Sequence, residues 1–256
     1  MSLLEFIISE ELWEDYYIGR LRKIHAATAR KMDEYLSSHE IVTLQDWNAL
    51  IQFAYGLTTG YGEAAAALAC EMYDLIARKS GKDLPPAVPA PTPPMHEVAK
   101  AVRGTGKSGN PELVVDAVER LVKRTGVDTT MLNALRDGAE WAWIPHGDTC
   151  AFCLMLASNG WQRASKAAMK DGHAKHIHAN CDCTYAVSFN GKTSVAGYDP
   201  SQYQQIYDSA AGSSWEEKLN NIRNEQNSAR REEINAQARA AYANRKAREA
   251  EGGGLA

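Results

Sequence analysis

Apolar residues recur at three- and four-residue intervals over the first eighty positions, which predicts helices rather than strands. Leu12, Tyr16, Ile18 and Leu21 begin the pattern, and Ile24, Ala27 and Met32 continue it with charged residues between them. Ser37, Ser38 and His39 interrupt it. Thr43 and Asp46 have the spacing of a capping box, so a second helix is expected to carry Leu44, Trp47, Leu50 and Ala54 onward to Ala77. Gly56 and Gly60 weaken that helix, since each glycine costs about 1 kcal/mol relative to alanine in a helix interior.

The texture then breaks. From Gly81 to Pro94 the chain reads GKDLPPAVPAPTPP and holds six of the nine prolines. Proline lacks a backbone donor and restricts the residue before it, so no helix survives here. An extended, semi-rigid connector over 81–95 is expected between a helical region at 1–80 and the rest of the chain. The competing reading is a proline-rich loop wrapped on one surface. Beyond it, His96 to Val102 predicts a short helix. Asn110 caps another that has Pro111 in its first turn and carries Leu113, Val114, Ala117, Leu121 and Val122. Thr129 or Thr130 is expected to open a further helix running into Trp141 and Trp143. Past Pro145 the helical period fades, and Cys183 to Phe189 alternates like a strand. These pieces place a helical and small α+β module at 96–210.

The segment 211–256 is a charged tail. Ser214 to Glu251 holds eight Lys/Arg and seven Asp/Glu, with Leu219, Ile222, Ile234 and Tyr242 as its thin apolar stripe. Such a helix is either solvated or docked on a partner. The fold class is α+β, predominantly α-helical.

Composition changes this picture little. The 256 residues are 45% hydrophobic and 23% charged, enough for a core that needs no disulfides. A net charge of −4 argues against a protein that coats nucleic acid. No apolar run reaches the roughly 18 residues of a membrane span, and the first residues lack the basic start of a leader, so a cytoplasmic protein without membrane contact is expected. Cys70 sits among apolar helix residues and reads as core. Residues Gly104 to Gly109, GTGKSG, imitate a phosphate loop, but Ala101 stands where its first glycine belongs and no strand precedes it. A turn between helices is expected there, with no nucleotide.

The remaining four of the five cysteines share one window. Cys150 and Cys153 form C-x2-C, and after a spacer come His178, Cys181 and Cys183 as H-x2-C-x-C. A C-x2-C pair sets two thiolates on a tight turn at the separation a tetrahedral ion needs, and a second pair arriving from elsewhere closes the site. Zinc favours such soft ligands, so one structural zinc per chain is expected. Five candidates compete for four places. A four-cysteine site would leave His178 outside, and a site using His178 would leave Cys181 or Cys183 over. His173 and His176 read as solvated. The nearby carboxylates, Asp148 and Asp182, do not form the patterns of a zinc hydrolase or deaminase, which favours a closed site.

WIPHGDTCAFCLMLASNGW (Trp143 to Trp161) followed by HANCDC (His178 to Cys183) resembles the minor head proteins of tailed bacteriophages, the Mu F-like head-morphogenesis family. Trp143, Asp148, His178, Cys181 and Cys183 match that family's positions. Cys150 and Cys153 resemble the branch from phages of Gram-positive hosts, as do Asp199, Pro200 and Tyr203. The resemblance covers about Trp141 to Tyr207. It implies a low-copy structural protein of the virion capsid, made in the host cytoplasm. Its implied partners are the portal or major capsid protein, and its implied role is head assembly, with DNA packaging or ejection and contact with packaged DNA as further possibilities. It implies no enzymatic activity. The alternative is a zinc-containing nuclease acting on phage or host DNA, which would need a second acidic or histidine metal site.

Overall fold

The computed structural model describes residues 6–107, 109–146, 149–165, 183–189, 191 and 193–232. A short strand, β1 (Phe6–Ile8), leads into a π-helical stretch, Glu11–Ile18, which continues as α1 (Gly19–Ser38). The N–H of Gly19 reaches the carbonyl of Glu14, five residues back, which marks the wider turn. Helix α2 (Leu44–Lys79) opens on the expected capping box: Thr43 accepts from the Asp46 N–H, and Asp46 accepts from the Thr43 N–H. It runs unbroken through Gly56 and Gly60. Helices α3 (Met95–Gly106) and α4 (Pro111–Asp137) follow, the latter capped by Asn110.

Helix α2 makes its most extensive packing with α4. Small residues allow the approach, with Gly126 lying against Ala65. A β-carbon on Gly62 would come within 3.2 Å of Thr125 Oγ1 and 3.1 Å of Thr92 Cγ2. One core gathers Trp13, Tyr17, Leu68, Tyr73, Ile76 and Val122, and a second gathers Met32, Leu50, Val98, Val102, Val114 and Val118. Both draw on residues from either side of the proline segment.

That segment forms neither helix nor strand, and its hydrogen bonds favour the competing reading of a loop wrapped on one surface over a free spacer between two halves. Ala87, Val88 and Ala90 donate their N–H groups to Asp74, Asn133 and Thr129. Asn133 returns a hydrogen bond to the Val88 carbonyl, and Arg136 donates to the carbonyls of Pro85 and Pro86. Side chains of α2 and α4 thus satisfy a backbone that proline prevents from pairing with itself. The segment is a strap on the bundle, and 81–95 marks a change of sequence texture across which the two cores are shared.

Other expectations change as well. Helix α4 does not restart at Thr129 or Thr130. Thr125, Thr129 and Thr130 donate to the carbonyls four residues back within one continuous helix. It ends at Gly138, whose φ of 65° is the left-handed cap that glycine adopts freely. Trp141 and Trp143 therefore lie on a strand, β2 (Glu140–Ile144), rather than a helix. The helix expected at His96 to Val102 extends to Gly106, so the GTG of the false phosphate loop is helical. Cys70 is only half-buried, and burial, with Asp74 nearby, raises its thiol pKa.

The remaining elements are α5 (Ala151–Ser158), β3 (Gln162–Arg163), β4 (Thr184–Ser188), β5 (Thr193–Val195) and α6 (Pro200–Ser209). Strand β2 is central, antiparallel to both β3 and β4, while β1 pairs parallel with β5. Helical structure resumes over 215–232. Its Leu219 and Ile222 do not await a partner, because they pack on Ala151, Leu154 and Ala210 of this chain. Among the described residues, no helix is long and apolar enough to cross a membrane.

Candidate metal centre

The two faces of the β2–β4 ladder separate two environments, because alternate residues point opposite ways. Ala142, Ile144 and Ala186 join the core formed with α1 and α2. Trp141, Trp143 and Tyr185 turn to the other side and meet α5. Tyr185 contacts both indoles edge-on, at centroid distances of 4.7 and 4.9 Å. Register then places the cysteines. Ile144 pairs with Thr184, so Cys183 enters at the same end of the sheet from which the chain leaves toward Cys150.

Cys150 is the N-cap of α5, and its Sγ accepts the Cys153 N–H at 3.4 Å. Cys153 lies on the first turn above it. Cys150, Cys153 and Cys183 all pack into one cluster with Trp143, Leu156 and Tyr185, where Cys153 is 2% exposed and Cys183 7%. The helix start thus places one backbone N–H donor on the Cys150 sulfur. Tyr203 of α6 borders the same cluster. Burial, and then the neighbouring Cys183, raises its phenol pKa. Beside Cys183 lies a cavity of about 20 Å³, bordered by Tyr17, His25 and Lys123, which has room for about one water.

Three of the five predicted ligands therefore border one cluster. The donor chemistry fits zinc, since two thiols sit one helical turn apart and a third arrives from a strand end. His178 and Cys181 lie outside the described residues, as do Asp148, His173, His176 and Asp182. Among the described residues, no group of three or more His, Cys, Asp or Glu side chains could hold a metal ion, so Cys150, Cys153 and Cys183 share a cluster without forming a metal-binding group by themselves.

No motif in the sequence singles out His146, which fixes the chain between β2 and α5. Its Nε2 accepts from Trp13 Nε1 at 3.2 Å, and its Nδ1 lies 2.5 Å from Glu14 Oε1. An indole N–H can only donate, so Nδ1 carries the proton toward the carboxylate. The side chain is 1% exposed. A π-helical turn at Trp13 and Glu14, which no residue pattern announces, brings both partners to the ring. At the far end of α5, Tyr198 donates to the Ala157 carbonyl at 2.8 Å. Asp199 then caps α6 by accepting from the Ser201 N–H, with Pro200 in the first turn.

Fold and site together define a predominantly helical α+β protein in which a bundle supports a small sheet and a cysteine-bearing helix. The family model described as VG15 protein matches residues 8–210, and the chain belongs to that family, a phage-associated family of viral gene products. No curated protein and no solved structure matches it.

Proposed function

We propose that this protein is a structural minor head protein of a tailed bacteriophage. It acts in capsid assembly and head morphogenesis, and has no turnover of its own. It resides in the virion capsid after assembly in the host cytoplasm, with the portal or major capsid protein as partner. The observation that carries this reading is the burial of three described residues, Trp143, Cys153 and Cys183, among those on which the resemblance to head proteins rests. Trp143 is 1% exposed, and Cys153 and Cys183 are nearly as enclosed. Residues that act on a substrate must reach it, whereas these hold a sheet to a helix. Membership of a phage family over residues 8–210 supports the same reading.

Cys150, Cys153 and Cys183 would hold zinc together with His178 or Cys181, and the ion would supply a fixed tetrahedral crosslink. The chain's own part is to present the thiols from a helix cap and a strand end, and to exclude water with Trp143 and Tyr185. Quantitative mass spectrometry of purified virions should find the chain at far fewer copies than the major capsid protein. Virions without it would overturn the proposal. So would DNA cleavage by the purified chain that is lost in His178→Ala, an outcome that would establish the nuclease instead.

A further inference from the structure

Helix α5 has only two turns, too few to be stable unless packed on both sides. One side, with Cys153, Leu156 and Ala157, lies on the sheet. The other, with Ala151 and Leu154, is covered by Leu219 and Ile222 of the helix over 215–232. Gln226 of the same helix donates from Nε2 to the Thr149 carbonyl at 2.8 Å, immediately before the Cys150 cap. Leu219, Ile222 and Gln226 are three, four and seven positions apart and so share one helical face. Among the described residues, the inner stripe of this charged helix thus lies on the element that presents two thiols.

We propose that the helix over 215–232 clamps the candidate metal centre. Leu219, Ile222 and Gln226 are positioning residues that hold α5 and the Thr149–Cys150 junction, and bound metal in turn holds the helix docked. This rests on the reading of the cysteines as zinc ligands. Residues that orient metal ligands without touching the ion change metal affinity by about ten- to a hundredfold. By linkage, any factor by which docking tightens the metal is the factor by which the metal tightens docking.

The test uses the full chain loaded with Zn²⁺, following transfer of zinc to a chromogenic chelator. Leu219→Ala combined with Ile222→Ala should release zinc about tenfold faster than the parent protein. Gln226→Met, which keeps the side-chain length and removes the donor, should accelerate release by a smaller factor and decides the matter if the double variant does not fold. Ile51→Ala, in the separate core around Met32 and Val98, should leave the release rate unchanged. Amide exchange over 215–232 should quicken when zinc is removed. Equal release from parent and clamp variants would overturn the clamp while leaving the zinc reading intact. Acceleration by Ile51→Ala equal to that of the clamp variants would overturn it too, as would a parent protein that binds no zinc, which would overturn both.

Discussion

Asn133→Ala should loosen the proline strap and destabilise the protein by about 2–3 kcal/mol. Asn133 is fully buried, and its amide holds Val88 at both ends, accepting the N–H at 2.9 Å and donating to the carbonyl at 2.8 Å. Each such bond contributes about 1 kcal/mol net, and a buried group left unpaired costs about 1–3 kcal/mol. Val88 is 46% exposed, so water recovers part of that loss once the strap lifts. The emptied amide volume adds a further cavity cost. For a chain of this size the total corresponds to a fall of about 5–10 °C in melting temperature. Urea denaturation would give the free energy, and trypsin cleavage at Lys82, beside the strap, would report its release. A change below about 0.5 kcal/mol with no faster cleavage would show that the strap is not held by this amide.

Gly106→Ala should destabilise the contact between α3 and α2, because its β-carbon would lie 2.3 Å from Trp47 Cη2 and the indole must move; an unchanged denaturation midpoint and unchanged Trp47 environment by fluorescence would refute this. Burial beside Glu97 pushes the Asp128 carboxyl from 3.8 up to about 6, against the pull of Arg124. The folded state therefore binds this proton more tightly than the unfolded state, and the contribution of Asp128 is lost as pH rises from about 4 through 6. Asp128→Asn should flatten that fall, and identical stability–pH curves for variant and parent would refute the assignment. Cys150→Ser should lower the melting temperature of zinc-loaded protein more than Cys70→Ser, because only the first opens the proposed metal site; equal effects would count against zinc.

Helices whose ends are marked by local chemistry were legible. Thr43 with Asp46, and Asn110 with Pro111, signal their caps without reference to the rest of the chain, and β4 showed its alternation. Boundaries decided by tertiary packing were not legible. Thr129 and Thr130 look like caps in isolation, yet inside α4 their hydroxyls bond backward and the helix continues. Trp141 and Trp143 continue an apolar pattern that suits either element, and only pairing with β4 makes them strand. Proline content predicts extension but not what satisfies the remaining N–H groups, so the sequence alone leaves both a spacer and a wrapped loop open for the strap. At the candidate metal centre, spacing singles out the cysteines as candidates, whereas His146 depends on a π-helical turn with no signature in composition or period.

The parallel pairing of β1 with β5 joins Phe6 to Thr193. About 190 residues must be polymerised between them, which at about 5–20 residues per second takes on the order of ten to forty seconds on the ribosome. Throughout that interval the first strand has an open edge, and Trp13 and Tyr17 of the adjoining turn lack much of the core that covers them in the finished molecule. The nascent chain should therefore engage holding chaperones until residue 195 has emerged. Fragments that end before β5 should aggregate through that edge even when every helix they contain can form.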